Sequence, residues 1–167
     1  FGRVASLCDC LRVLVAQSVA PGRIVVVDND PAAVEGGSTE VAVRAAVSAS
    51  GVPLTYVAPG ENLGPSGGWA LGAERMVDSA ERGEWLMLID DDDPMGSPQV
   101  AAELLGVAAQ SGRRVVAVGR RGAVVRRCTG LLRRVRPVAG GIVDAQYLAG
   151  GGTPIYRWEM IDREGFV

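Results

Sequence analysis

Residues 85–94 read Trp-Leu-Met-Leu-Ile-Asp-Asp-Asp-Asp-Pro, an apolar run that ends abruptly in four carboxylates. A second apolar run, Ile24-Val-Val-Val27, ends in Asp28-Asn29-Asp30-Pro31. Continuous apolar runs of this length are typical of strands that are buried on both faces of a parallel sheet. Both polar turns are then expected at the carboxyl edge of the sheet, which is where open α/β folds bind ligands.

The segments around these runs have the periodicity of helices and further strands. Val4, Leu7, Leu11 and Leu14 recur at spacings of three and four, which predicts a first helix. The other predicted helices run from a Thr39 cap to Ser50 with Gly51 as the stop, from Gly68 to Glu81 after a glycine-rich loop over 59–68, and from a Ser97-Pro98 start to Gln110. Further strands are predicted at Leu54–Val57 and Val115–Val118. The order predicts an α/β fold with a mostly parallel sheet flanked by helices, in one domain over 1–167.

Composition excludes several kinds of chemistry. All 17 basic residues are Arg, and the chain has no Lys and no His. A Ser-His-Asp site, a Cys-His site or a His-rich zinc site therefore cannot be built from this chain. The net charge of -2 does not indicate nucleic-acid binding. Three Cys without a disulfide framework favour a reducing compartment, so we expect a cytoplasmic location.

The four carboxylates Asp90 to Asp93 are the strongest candidate for chemistry. Neighbouring like charges repel by about 1 kcal/mol per pair in water, so the run is costly unless a cation is present. Mg²⁺ and Mn²⁺ prefer oxygen ligands and are often held by one or two carboxylates plus substrate phosphates. In an extended segment Asp90 and Asp92 face the same side. The alternative is a solvated acidic turn in which Asp93 or Ser97 caps the next helix.

Three other polar or glycine-rich features accompany this run. Asp28 and Asn29 could hydrogen-bond a ribose or a base edge, or could cap a turn. The segment 62–69, Asn-Leu-Gly-Pro-Ser-Gly-Gly-Trp, brings glycines before a helix, where backbone and helix dipole favour an anion. It is not a Walker loop, and an ordinary loop and cap is the alternative. Gly150 to Gly152 allow close backbone approach to a sugar or acceptor, or form a flexible loop.

In this order the features resemble the family 2 glycosyltransferases of GT-A fold, over nearly the whole chain. Residues 11–31, LRVLVAQSVAPGRIVVVDNDP, look like the first helix and second strand of that family. NLGPSGGWALGAERM resembles its N-x-G-x-x-G-G segment, and WLMLIDDDDPM resembles its D-x-D strand. VDAQYLAGGGTPIYRWEMIDREG looks like its later acceptor-side segment. Within the family, the likeness is to bacterial rhamnosyl- and galactofuranosyltransferases that build surface polysaccharide.

The resemblance implies a role for each matching position. The positions implied for the nucleotide sugar are Asp28, Asn29, Asn62, Gly64, Gly68, Asp91 and Asp93. Asp28 and Asn29 would contact the nucleoside, and Asp91 and Asp93 would support the metal site or touch the sugar. Asp90 and Asp92 would hold the Mn²⁺ or Mg²⁺ ion that bridges the diphosphate. Gly151 and Gly152 would line the acceptor side.

The implied reaction is inverting transfer from a UDP- or dTDP-sugar to a glycan or lipid-linked acceptor, in the cytoplasm or at the inner face of the membrane. Two departures limit it. The family's first strand is expected just before Phe1, and its catalytic base beyond Val167, so no base is named. The alternatives are a binding-only or inactive fragment of such a domain, and another nucleotide-binding enzyme such as a nucleotidyltransferase. The latter would call for a basic glycine-rich loop early in the chain, and none is present.

The stretch from Arg113 to Arg136 interleaves Arg with Val, Leu and Gly. This pattern favours short hairpins with solvated Arg side chains. Contact with an anionic membrane or a lipid-linked diphosphate is the alternative.

Overall fold

The computed structural model describes residues 2–77, 83–92, 95–111, 115–125, 129, 131–135, 141–143, 145, 147–148 and 153–164. The helices are α1 (Val4–Val15), α2 (Ser38–Val47), α3 (Gly64–Val77), α4 (Val100–Gln110) and α5 (Trp158–Glu164), with a 3₁₀ turn at Ser48–Ser50. The strands are β1 (Ile24–Val27), β2 (Leu54–Val57), β3 (Trp85–Met87), β4 (Ala117–Val118), β5 (Gly122–Val125), β6 (Leu132–Val135), β7 (Tyr147–Leu148) and β8 (Ile155–Arg157). The predicted mixture of helices and strands is confirmed. None of the described helices has the length and apolar character needed to span a bilayer.

Strand pairing corrects the prediction of a mostly parallel sheet. The parallel ladder joins β1 to β2, with Ile24 opposite Leu54 and Val27 opposite Val57. Strand β8 lies between β3 and β4 and is antiparallel to both. Strands β3 and β4 therefore run in the same direction, as expected for two strands joined by a crossover helix, here α4. The strand that separates them comes from much later in the chain, and the periodicity of 85–118 carries no sign of it.

Strands β1 and β3 each have an edge without a partner strand among the described residues. Strand β1 pairs with β2, and β3 pairs with β8. A cavity of about 810 Å³ is lined by consecutive residues of both strands, 24–27 and 85–87, and by residues 88–89, which follow β3. Because successive side chains of a strand point to opposite faces, consecutive lining residues mean that the strand edges themselves border the cavity. Apolar residues of α1 and α3, among them Leu11 and Ala73, also line it.

Buried side chains of the described residues form three groups. The first joins α1 and α2 to β1 and β2, and its buried members are Leu11, Ile24, Val26, Val43, Val47 and Tyr56. The second surrounds α4, β4 and β8, and its buried members are Met95, Val100, Leu104, Val118 and Ile155. The third consists of Ala73, Leu86, Trp158 and Ile161. Leu14 of α1 packs against both the first and the second group, so α1 links the two parts of the core.

Two predicted helix starts are displaced toward the N-terminus. Helix α2 begins at Ser38 with Gly37 as its N-cap residue, so the prediction that Thr39 caps it is wrong. Helix α3 begins at Gly64, so the last residues of the predicted loop, up to Gly68, are already helical. The predicted stop after the second helix is confirmed, because Gly51 adopts the left-handed conformation with φ 71°.

Helix α4 begins later than the Ser97-Pro98 pair predicts. The Oγ of Ser97 accepts the backbone N–H of Gln99 at 3.2 Å, which closes a turn before the helix starts at Val100. The N–H of Ala101 is instead donated to Oε1 of Gln17 at 3.1 Å. Gln17 follows α1, so a residue 84 positions away supplies the cap.

Candidate functional site

The cavity between β1 and β3 collects most of the predicted site residues. Those that line it are Asp28, Asn29, Asn62, Gly64, Gly68, Asp90 and Asp91. Asp92 lies beside it and is exposed on the surface. Asp93, Gly151 and Gly152 lie outside the described residues. The structure therefore brings together the polar ends of β1 and β3 and the start of α3.

Asp28 is held in place by the neighbouring strand. The hydroxyl of Tyr56 donates to Oδ2 of Asp28 at 2.6 Å, and the N–H of Asp30 donates to Oδ1 at 3.1 Å. Burial raises the pKa of the Tyr56 phenol well above its ordinary value, and its hydrogen bond to Asp28 raises that pKa further. A carboxylate has about four acceptor positions, so Asp28 retains capacity for the hydroxyls of a ligand.

Asn29 and the start of α3 are fitted closely to each other. Nδ2 of Asn29 donates to the carbonyl of Gly64 at 3.0 Å, and Oδ1 of Asn62 accepts the N–H of Gly64 at 2.9 Å. A Cβ on Gly68 would lie 2.8 Å from Nδ2 of Asn29, so this approach requires glycine there. Oδ1 of Asn29 is buried and has no hydrogen-bond partner among the residues that the structure describes. A buried acceptor without a donor is costly, which makes this oxygen a candidate contact for an N–H or O–H group of a ligand.

Asp91 and Asp92, which follow β3, lie in a turn rather than in an extended segment. Nη2 of Arg3 donates to Oδ1 of Asp91 at 2.7 Å, and Nη1 donates to Oδ2 of Asp92 at 2.5 Å. These contacts raise the pKa of the Arg3 guanidinium, the hydrogen bond to Asp92 most strongly. The expected alternation of Asp90 and Asp92 assumed an extended backbone, which the structure does not have at residues 91–92. In the observed turn, Asp91 and Asp92 both pair with the guanidinium of Arg3.

Helix α1 also holds the backbone of this turn. The Ser6 hydroxyl donates to the carbonyl of Asp91 at 2.6 Å, and the Cys10 thiol to the carbonyl of Asp90 at 3.5 Å. With Arg3, these residues are spaced by three and four, so they lie on one side of α1 and its cap. None of these three residues was predicted as part of the site from the sequence. Their spacing of three and four residues could have indicated a second, polar side of the helix, next to the apolar side that predicted it.

The carboxylates suit a divalent cation that is held partly by a substrate. The described residues contain no group of three or more Asp, Glu, Cys or His side chains arranged to hold a metal ion. Asp91 and Asp92 nevertheless approach a single positive group, the Arg3 guanidinium. Mg²⁺ is commonly bound by one or two carboxylates, with phosphate oxygens and water filling the other positions. The donor set therefore fits that mode and does not form a complete protein cage.

A strained residue lies near the end of β3. Thr153 has φ 46° and is buried, although β-branched residues rarely adopt positive φ. The carbonyl of the next residue, Pro154, accepts the N–H of Leu88 at 3.1 Å. Pro154 thus lies beside the end of β3, and its contact residue Leu88 is two positions before Asp90. Backbone strain of this kind often occurs at functional sites, and Thr153 was not predicted as a site residue from the sequence.

Comparisons with known proteins relate the chain to glycosyltransferases. It is 36% identical over 106 residues to galactofuranosyltransferase GlfT1 of Mycobacterium tuberculosis, which covers 64% of this chain and 32% of that protein. It is 34% identical over 102 residues to galactofuranosyltransferase GlfT1 of Mycolicibacterium smegmatis, covering 61% of this chain and 30% of the relative. The chain thus spans about a third of the length of these relatives. No family model and no solved structure matches it.

Proposed function

We propose that this chain forms the donor-binding part of a glycosyltransferase. The enzyme would move a sugar from a nucleotide-diphosphate sugar to a glycan or lipid-linked acceptor in bacterial cell-surface polysaccharide synthesis. The observation that carries the proposal is the gathering of the strand-end acids, Asn29 and the start of α3 around one cavity. The similarity to the two mycobacterial galactofuranosyltransferases supports the same class of reaction.

The end of β1 is the proposed nucleoside contact. Asp28, fixed by Tyr56, accepts hydrogen bonds from ribose hydroxyls, and the unpartnered Oδ1 of Asn29 accepts one from the nucleobase or sugar. Gly64 and Gly68 both lie close to Asn29 and line the same cavity, so the N-terminal end of α3 borders it. Backbone N–H groups at a helix start favour an anion, so this end suits the diphosphate.

The acidic turn is the proposed site of Mn²⁺ or Mg²⁺. Asp91 and Asp92, with Asp90 at the cavity wall, would hold the ion against the diphosphate. When bound, the ion would neutralise charge on the leaving nucleotide diphosphate. Arg3 occupies the cation position in the structure, and it would release one or both carboxylates to the metal or remain as a second positive charge near the phosphates.

The acceptor is assigned to the side of the cavity where Thr153 and Pro154 run along β3. Thr153 and Pro154 are the described residues on this side, and the backbone of Pro154 contacts Leu88. The acceptor role of Gly151 and Gly152 stays a prediction, because both lie outside the described residues. Inverting transfer requires a base that takes the proton of the acceptor hydroxyl, and no described residue is assigned this role.

Calorimetry with the whole protein tests the metal and nucleotide assignment together. We expect UDP or dTDP to bind in the presence of Mn²⁺ and not in EDTA, and Asp91→Ala and Asp92→Ala each to lose most of the Mn²⁺-dependent part. Asp9→Ala is the matched control, because Asp9, like Asp91 and Asp92, is a carboxylate paired with an Arg, but it lies on α1. Binding that is unchanged in both site variants would overturn the metal assignment. Thermal shifts with UDP-, dTDP- and GDP-sugars plus Mn²⁺ then identify the donor class.

A further inference from the structure

The positive charge of the chain is concentrated in one segment. Residues 112–143, here called the basic segment, contain nine of the 17 Arg and none of the 19 Asp and Glu. The rest of the chain therefore has eight Arg against all 19 acids, although the overall net charge is only -2. Because the basic segment has no acidic residues to offset its Arg, it produces a local positive electrostatic potential.

The basic segment also contains most of the exposed large apolar side chains. Six of the ten found among the described residues belong to it: Val116, Val125, Leu131, Leu132, Ile142 and Val143. Leu131 and Leu132 are 66% and 58% exposed, so most of each side chain is accessible to solvent. Single exposed apolar residues are ordinary on a protein surface, but a concentration beside clustered Arg indicates an interaction surface.

The hairpin of β5 and β6 arranges the two kinds of side chain together. Val125 lies opposite Leu132, and Ala123 lies opposite Arg134. Residues directly opposite on antiparallel strands share a face, so exposed Val125, Leu132 and Arg134 lie on one side. Arg133 lies on the other, because side chains alternate along a strand, and Leu131 directly precedes β6. Within the two strands, the pair of Val125 and Leu132 lies at the end nearest to the connection, and Arg133 and Arg134 follow Leu132 along β6.

The described Arg residues on this hairpin and directly before it form no ion pairs within the described structure. Arg120, Arg121, Arg133 and Arg134 are exposed, and none of them forms an ion pair with another described residue. We propose that the β5–β6 hairpin docks on an anionic lipid bilayer, with Leu131, Leu132 and Val125 entering the interfacial region and the Arg side chains contacting the lipid phosphates. Arg suits this position because its apolar stem can lie along the acyl boundary while the guanidinium stays in the headgroups. A nucleic acid would match the charge but would give the exposed leucines no apolar partner.

Vesicle sedimentation with the whole protein tests this proposal. We expect strong partition onto phosphatidylglycerol-containing vesicles, little onto pure phosphatidylcholine, and release in high salt. Arg133→Gln with Arg134→Gln should weaken partition about 30-fold, on the basis of the usual contribution of each surface Arg. Leu131→Ser with Leu132→Ser should weaken it by about tenfold or more, since two exposed leucines lose their apolar contact.

Matched variants separate this surface from a general effect of charge or hydrophobicity. Val34→Ser with Val41→Ser removes apolar residues of similar exposure, 65% and 61%, outside the basic segment. Arg12→Gln with Arg163→Gln removes two exposed Arg, also outside it. Both control proteins should partition as the unchanged protein does. Equal partition of the Leu131 and Leu132 variant, equal partition onto neutral vesicles, or tighter binding to RNA than to anionic vesicles at the same salt would each overturn the proposal.

Discussion

The phenol of Tyr56 donates a 2.6 Å hydrogen bond to Oδ2 of Asp28, and so joins the ends of two parallel strands. Tyr56→Phe removes this donor and leaves the carboxylate less firmly placed. Hydrogen bonds to charged groups contribute about 1.5–3 kcal/mol, so we expect a loss of stability of that order in urea unfolding, together with weaker nucleotide binding. Unchanged nucleotide affinity in a variant of measurably lower stability would show that Asp28 needs no positioning by Tyr56.

The same contact predicts a distinctive response to alkaline pH. The pKa of Tyr56 is raised in the folded state, by burial first and then by Asp28. Its contribution to stability is therefore complete below the ordinary phenol pKa of about 10 and is lost as pH rises above it. In an ultraviolet absorbance titration, one of the three Tyr residues should ionise later than the others in native protein. That delayed phase should vanish in Tyr56→Phe; if it persists there, it belongs to another Tyr.

Gly68 and Gly72 provide a matched pair one turn apart on α3. A Cβ on Gly72 would meet Cγ2 of Val27 at 3.5 Å, an ordinary contact, whereas one on Gly68 would meet Nδ2 of Asn29 at 2.8 Å. Gly72→Ala should therefore stabilise the protein by about 0.5–1 kcal/mol, as expected in a helix interior. Gly68→Ala should displace Asn29 from the carbonyl of Gly64 and weaken nucleotide binding. Thermal unfolding and calorimetry measure both effects, and equal nucleotide affinities for the two variants would contradict this role of Gly68.

Arg3 is expected to compete with a divalent cation. Its guanidinium contacts both Asp91 and Asp92, so Arg3→Gln leaves two adjacent carboxylates without their positive partner. Mn²⁺ affinity in the absence of nucleotide should then rise several-fold, measured by calorimetry or electron paramagnetic resonance. Arg12→Gln, which removes an Arg paired with Asp9 on the same helix, should leave it unchanged. A fall in Mn²⁺ affinity on loss of Arg3 would show that the turn needs the guanidinium to keep its shape.

Gln17 connects the end of α1 to the start of α4. Its buried side chain accepts from the N–H of Ala101 at 3.1 Å and donates to the carbonyl of Ser97 at 2.9 Å. Gln17→Ala removes the acceptor of the Ala101 N–H, and losing the partner of a buried group costs about 1–3 kcal/mol. The carbonyl of Ser97 keeps the N–H of Val100 as a donor at 3.5 Å. Gln99→Ala is a suitable comparison, because Gln99 is an exposed residue at the same helix start. Chemical denaturation should show a clearly larger loss for the Gln17 variant than for the Gln99 variant.

The parts of the site that sequence predicted are those that depend on local pattern. Apolar runs that end in acids placed Asp28 and Asp90 at strand ends, and the structure brings both to one cavity. Strand β8 was not predicted between β3 and β4, since pairing over some seventy residues leaves no local periodicity. The start of α4 depends on Gln17, which is equally distant in sequence. Arg3 was missed because its partners Asp91 and Asp92 are defined only once α1 packs beside β3.

Among the described residues, β1 and β3 each have an edge without a partner strand, and this has a consequence for the behaviour of the chain in solution. Each edge presents a row of backbone donors and acceptors in an apolar setting, and such rows act as templates for a strand from another molecule. The flanking side chains, Val25 and Leu86 among them, are those of an interior strand and include no charged residue to discourage addition. At rising concentration the isolated chain is therefore expected to form intermolecular β-structure, and a short soluble peptide of strand-forming sequence should suppress that association by occupying the edges first.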